Sequence, residues 1–416
     1  MENRTGWVHA FYTELVRLGV YADLLYRRDE GGVSTSTAFV LWLNGLGEQV
    51  DELILFGRTH PEAGRAQYRL ADAGIRFVSL PYYESLRHVG AVAAATARSA
   101  AIWNRELSRC DAVLIFGPHP YAALFGLQAH FAHVPTVVGV RQDLPVYLSY
   151  RFNGLKRRAA VAAGRSLELI SRRLAREGGA VAVGEEMARR YAARSGRVLA
   201  TGVSLVRAAD LVAVEEAVAR PWPGGHQVLV AGRLDPEKNP MLLLETAKAL
   251  RQTGPWQLVV AGTGSMAAEL ASQVRSQGLE DSLLLVGRLD RERLFELYRQ
   301  STVLLHVSLT EGQPQVFYEA AAAGLPIVAT AVGGVPAALA HGRRGALVPP
   351  SDVAAIVTAI YELGSEPTRR IAMIRAASEW AANETLDVQV GRVAAFISEV
   401  ASATSQPRRL SARRRR

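Results

Sequence analysis

Residues 302–330 read TVLLHVSLTEGQPQVFYEAAAAGLPIVAT. An apolar run, TVLLHVS, fits a buried strand. Glu311 and Gly312 then break the run, and Pro314 suits the first turn of a helix. The helix carries Glu319 and ends in a small-residue stretch closed by Gly324, before a second apolar run, LPIVAT. Strand, helix and strand in this order form the unit of a parallel sheet covered on both faces.

The same alternation extends in both directions. Toward the N-terminus of this unit, HQVLVAG, WQLVVAG and SLLLVG are predicted strands, and GALVPP follows it. Helices are expected at 238–252, 265–277, 290–300, 314–323 and 352–363. Before residue 200 the predicted strands are ELILFG, GIRFVSL, DAVLIFG, PTVVGV and GAVAVG. They are separated by helical patterns at 36–46, 61–73, 83–107, 121–132 and 155–176. A chain of 416 residues exceeds what one core usually supports, so two α/β domains are expected. The division is a first domain at 1–203, a linker at 204–225, a second domain at 226–382, and a helix at 383–404 that could pack back on the first. A basic disordered tail at 405–416 follows.

Charge is uneven. The net charge is +9, but residues 408–416 hold six arginines and residues 151–176 hold eight basic side chains against Glu168. Outside these two stretches the chain is mildly acidic, which argues against a nucleic-acid partner and leaves an anionic membrane surface as one to consider. A solvated helix face explains the 151–176 arginines equally well. Uncharged stretches at 112–140 and 320–342 are broken by glycine and proline and read as strands and short helices, not spans. The first fifteen residues show no apolar signal-peptide run, and the lone Cys110 suits a reducing compartment. The expected location is therefore the cytoplasm, with a peripheral place at the inner face of the cell membrane.

Two segments carry the chemistry. In 228–240, VLVAGRLDPEKNP, a strand ends at Gly232, and Arg233 and Lys238 flank a helix start. Cations beside free helix N–H groups suit a diphosphate, although a surface pair in a turn has the same spacing. In 311–319, two glutamates sit in an apolar setting where they need partners, either ligand hydroxyls or structural cations.

These pieces together resemble glycosyltransferase family 4, whose fold is GT-B: two Rossmann-like domains facing a cleft. The matching segments are GRLDPEKNP at 232–240, AGTGSMAAEL at 261–270, VGRLDRERLFELY at 286–298 and EGQPQVFYEAAAAGLPIVATAVGGVPA at 311–337. The resemblance implies a retaining transfer of a hexose from a nucleotide-sugar, a UDP-sugar foremost, without metal or cofactor. It makes Arg233 and Lys238 the diphosphate ligands and leaving-group stabilisers. Glu311 would hold a hydroxyl of the transferred sugar, and Glu319 the ribose. Gly312, Gln313, Pro314, Gln315 and Val316 would contact sugar and phosphate, and Arg288 and Leu289 the base. Gly31 and Gly32 resemble the glycine loop that lets backbone approach the ligands, unless they form a plain turn. The family's usual histidine after the PTVVGV strand is absent; Arg141 and Asp143 stand there as candidates for the sugar or acceptor. His119 is a further candidate, with capping or packing as its alternative. The expected acceptor is a glycan or lipid-linked molecule of the cell envelope, or a small molecule.

Three other functions fit parts of the sequence. Gly262 and Gly264 after a strand resemble a dinucleotide fingerprint. A GT-B epimerase or phosphorylase, or an inactive nucleotide-sugar-binding protein, would share the fold.

Overall fold

The structure, a computed structural model, describes residues 16–84, 88–141, 143–193, 196–222 and 226–413, without the side chains of Val89 and of residues from 404 onward. The reading of the first fifteen residues lies outside the described residues. The N-terminal domain runs β1 (Arg17–Asp29), β2 (Gly32–Thr35), α1 (Phe39–Gly47), β3 (Glu52–Thr59), β4 (Tyr68–Arg69), β5 (Ile75–Leu80), α2 (Val89–Leu107), β6 (Ala112–Gly117), α3 (Pro120–Phe131), β7 (Thr136–Val140), α4 (Leu144–Arg151), α5 (Gly154–Gly178), β8 (Ala180–Val183), α6 (Glu185–Ala192) and β9 (Val198–Thr201). Its parallel strands lie in the order β5-β3-β1-β6-β7-β8-β9.

The C-terminal domain begins with α7 (Val214–Ala219) and continues through β10 (His226–Ala231), α8 (Leu242–Thr253), β11 (Trp256–Ala261), α9 (Ala267–Ser276), β12 (Leu283–Gly287), α10 (Arg291–Gln300), β13 (Val303–His306), α11 (Gln315–Ala322), β14 (Ile327–Thr330), α12 (Val335–Ala338), β15 (Ala346–Val348), α13 (Val353–Ser365) and α14 (Pro367–Asn383). Its sheet is parallel throughout, ordered β12-β11-β10-β13-β14-β15. The chain then returns as α15 (Leu386–Arg413). In a parallel sheet, ligands collect at the carboxyl ends of the strands where the order reverses. That point lies between β1 and β6 in the first domain, and between β10 and β13 in the second.

Three local expectations are corrected. β1 was not anticipated. Asp23 interrupts its apolar run, and the charges at Arg27, Arg28 and Asp29 mask the rest, yet Leu18, Val20 and Tyr21 are fully buried at the sheet centre. The segment 61–73 is not helical. Gly64 and Ala66 hydrogen-bond back to Arg28 and Ser34, so the chain runs extended into the short β4.

The linker is tied down where it is described. The backbone N–H of Ser204 donates to Gln389 at 2.7 Å, and that of Val212 donates to the Ala322 carbonyl at 2.8 Å. Finally, α15 continues as helix to Arg413, through most of the segment expected to be a disordered tail, while 414–416 lie outside the described residues.

α15 belongs to the N-terminal core. Leu386, Val390, Val393, Ile397 and Val400 are buried with Val40, Trp42 and Leu46 of α1 and with the sheet. Their spacing of three and four places them on one helix face. A chain that crosses to the second domain and sends its last helix back closes the first core with residues from its far end. Ile397→Ala is expected to destabilise the fold by about 2–5 kcal/mol, read as a lowered midpoint of thermal unfolding. An unchanged midpoint would show that α15 is not part of the first core.

Candidate functional site

The site forms where the second sheet's order reverses, opposite the ends of β7 and β8. A cavity of about 320 Å³ is lined by Gly232, Arg233 and Lys238 after β10, by His306, Ser308 and Glu311 after β13, and by Gln313–Val316 at the start of α11. From the N-terminal domain it receives Arg141, Val183 and Val203. A second cavity of about 310 Å³ shares Val183, Arg233, Lys238 and Glu311 with the first. Its other walls include Tyr147 and Tyr150 of α4, Glu186 and Arg190 of α6, and Gly333 and Gly334. Lys238 and Glu311 thus stand between two chambers.

Glu311 is the most constrained group. Its Oε1 is met by Lys238 Nζ, by His306 Nε2 at 3.0 Å and by Ser308 Oγ at 3.1 Å. All three partners converge on one oxygen. Burial would raise the pKa of this carboxyl, but the His306 hydrogen bond and the Lys238 charge outweigh it and hold it at about 2. Glu311 is therefore an anion across the neutral range.

The loop that carries it rests on glycines. Gly333 adopts φ +51°, and a Cβ there or at Gly334 would overlap the backbone of Glu311 or Gly312. The N–H of Gly334 donates to the Glu311 carbonyl at 3.0 Å. These glycines let the turn after β14 pass directly against the Glu311 loop.

Arg233 bonds Asp235, and Glu237 at 2.8 Å. Arg151, at the end of α4, reaches the same two carboxylates at 3.5 and 3.7 Å and so crosses between the domains. Asp235 also accepts from the Ser265 N–H at 3.0 Å and the Ser265 hydroxyl at 2.8 Å. A Cβ at Gly264 would collide with the backbone of Leu234, and one at Gly262 with that of Gly232. The glycine pair that resembles a dinucleotide fingerprint therefore serves close packing beneath the 233–238 loop.

The remaining candidates divide. Glu319 Oε2 accepts from Tyr298 at 2.7 Å, and burial raises its pKa. Gly312 lies against the Arg141 carbonyl, and Gln313, Pro314, Gln315 and Val316 line the first cavity. Arg288 reaches across to donate to the Ser36 carbonyl at 2.6 Å, and Leu289 packs on the second core.

Gly31, Gly32 and His119 lie outside both cavities, while Asp143 lines the second. Gly31 and Gly32 close the β1–β2 hairpin, where Arg69 bonds the Gly31 carbonyl, so the pair is a plain turn and not the expected strand–helix loop. His119 caps α3 positionally. Its Nε2 meets Asp23 at 3.2 Å, and it belongs to a cluster with Arg58 and Tyr21 at the first sheet's reversal point. Asp143 accepts from the Val146 N–H at the start of α4 and pairs with Arg190, on the wall of the second cavity.

Sequence reasoning did not single out His306, Ser308, Asp235 or Tyr298. The signal for His306 was a titratable side chain inside an otherwise apolar strand, which the apolar pattern around it concealed.

Residues 219–380 match the family model described as glycosyl transferases group 1. The match lies within the C-terminal domain that carries the site. Over 198 residues the chain is 36% identical to D-inositol 3-phosphate glycosyltransferase 2 of Catenulispora acidiphila, covering 44% of this chain and 46% of the relative. Glycogen synthase of Mycobacterium tuberculosis is 32% identical over 164 residues, covering 39% of this chain and 40% of its own. The chain thus matches under half the length of these curated relatives. The whole chain has the GT-B fold: the structure of Anabaena HepE in complex with UDP and glucose superimposes with a TM-score of 0.64 at 16% identity, over 91% of this chain and 98% of that one.

The Glu311 pairing has a measurable consequence for stability. A carboxyl whose folded pKa is depressed stabilises the protein above its unfolded value, near 4.5, and loses that contribution as pH falls toward 2. Glu311→Gln is therefore expected to cost up to about 3 kcal/mol at neutral pH. In paired thermal unfolding the gap from the wild type should narrow between pH 5 and pH 3. A gap independent of pH would contradict the depressed pKa.

Proposed function

We propose that the protein is a retaining hexosyltransferase that uses a nucleotide-sugar, a UDP-sugar foremost, and works without metal or cofactor. The carrying observation is the convergence of Lys238, His306 and Ser308 on one oxygen of Glu311, beside Arg233 and the start of α11. The donor diphosphate would lie on Arg233, Lys238 and the first N–H groups of α11. Charge developing on the leaving diphosphate is then met by fixed cations and backbone dipoles, the usual source of the largest catalytic term. The other oxygen of Glu311 is left to accept a hydroxyl of the transferred sugar. Glu319 would take the ribose, and Arg288 and Leu289 the base. The second cavity, with Tyr147, Tyr150 and Arg190, would take the acceptor, so that it reaches the anomeric carbon from the side of Lys238 and Glu311.

The match to the glycosyl transferases group 1 model supports transfer over epimerase, phosphorylase or redox chemistry. The structural relative that holds UDP and glucose supports a UDP-sugar. The sequence contains no Asp-x-Asp motif, which supports a metal-free reaction.

Incubated with UDP-glucose, UDP-galactose, UDP-N-acetylglucosamine and GDP-mannose in turn, without acceptor, the protein should release nucleotide slowly from one donor. Lys238→Ala and Glu311→Ala should lower that rate by about a hundredfold or more. No release, together with no thermal shift from any free nucleotide, would point to an inactive relative.

The acceptor reading extends to a membrane. No helix of the described residues is long and apolar enough to cross one. The α4–α5 pair that borders the second cavity exposes Leu155 (83%) and Leu169 (61%) on the arginine-rich α5. Such a face suits a peripheral site at the inner side of the cell membrane, where a lipid-linked acceptor would be presented. The protein should co-sediment with vesicles containing anionic lipid and not with neutral ones, and Leu155→Ser with Arg157→Ser and Arg158→Ser should weaken this severalfold. Equal recovery in the supernatant with both vesicle types would remove the membrane from the proposal.

A further inference from the structure

Arg141 stands apart from the other arginines near the cleft. Arg190 pairs with Asp143 and Glu186, Arg151 and Arg233 with Asp235 and Glu237, and Arg291 with Asp210. Among the described residues Arg141 has neither an ion pair nor a side-chain hydrogen bond. It follows directly on β7, and its guanidinium stacks on the Phe39 ring with 4.1 Å to the centroid. Stacking fixes the plane of the fork and leaves its N–H edges for a ligand.

Arg141 lines the first cavity with Val183 and Val203 of the same domain, and it has no place in the wall of the second. Among the described residues it is therefore the one polar side chain that the N-terminal domain presents to the first cavity. Its backbone carbonyl sits over Gly312, next to Glu311, so the residue is rooted beside the loop proposed to hold the transferred sugar. The diphosphate end already has Arg233 and Lys238. Burial lowers the Arg141 pKa to about 10, so the group is still a cation at neutral pH. A cation drawn out of water without a counter-charge is unfavourable unless a ligand brings one.

We propose that Arg141 is the specificity-determining residue for a donor whose transferred sugar bears a carboxylate, a nucleotide-hexuronate. The proposal rests on the transferase reading above. The planar fork matches a carboxylate with two parallel N–H···O bonds, which a neutral hydroxymethyl group cannot accept in the same way.

The test measures affinity by calorimetry for matched pairs, UDP-glucose against UDP-glucuronate and UDP-galactose against UDP-galacturonate, with free UDP as reference. The wild type should bind the acidic member of at least one pair tighter by about tenfold or more. Arg141→Met should bring that ratio to about one, and Arg141→Lys should retain part of it. The unfolding midpoint of each variant reports any loss from the Phe39 stack separately.

Equal affinity for both members, or a preference that survives Arg141→Met, overturns the proposal. A variant that weakens UDP, UDP-glucose and UDP-glucuronate equally also overturns it and places Arg141 on the diphosphate. Failure to bind UDP, GDP or any of their sugars would instead remove the donor reading, and the proposal with it.

Discussion

A buried carboxylate has to be held by donors, and the donors have to be held by the fold. Glu311 meets this constraint with a lysine from the loop after β10 and with a histidine and a serine from its own strand end. The two loops come from strands that are neighbours in the sheet but far apart in sequence, because the sheet order reverses between them. The reversal opens the crevice, the crevice admits the carboxylate, and the Gly333–Gly334 turn packs beneath it. Remove any of these and Glu311 becomes either an uncompensated charge or a solvated one.

How much of this was legible follows from where the information sits. The second domain was readable because its strands are short, mostly apolar runs bounded by glycine, proline or charge. Glu311 and Glu319 marked one candidate loop because they stand in apolar surroundings, and Arg233 and Lys238 marked the other because they follow the glycine that ends a strand. β1 was hidden for the opposite reason: Asp23 sits within the strand, paired across to Arg58 on β3 and to His119 after β6. A charge satisfied by tertiary partners cannot be told from a loop charge by pattern. The same holds for Gly31 and Gly32, whose hairpin depends on β2 pairing antiparallel with β1. The partners of a charge are equally invisible, so Asp235 and Glu237 as counter-charges of Arg233 emerged only with the fold.

The two reversal points have been used differently. In the first domain, Arg58, His119 and Tyr21 all converge on Asp23 at the crevice, and His119 is pushed toward its neutral form by burial against the opposing pull of Asp23. In the second domain the crevice is left open, and its cations are balanced by carboxylates that a ligand can replace. An apolar or self-paired crevice has little to offer an anion. An open one with exchangeable ion pairs offers a great deal, which is why the chemistry is assigned to the second.

Exchange of partners also ties the site to the arrangement of the domains. Asp235 and Glu237 hold Arg233 from within the second domain and Arg151 from the first. A diphosphate that takes Arg233 leaves both carboxylates to Arg151, strengthening the bridge that α4 makes across the cleft. α4 also carries Tyr147 and Tyr150 on the wall of the second cavity. On the donor and acceptor sites proposed above, charge balance at the first cavity would reach the wall of the second through one arginine. The direction follows from electrostatics: filling the first cavity with an anion favours a firmer hold between the domains, and the second cavity is shaped by that hold.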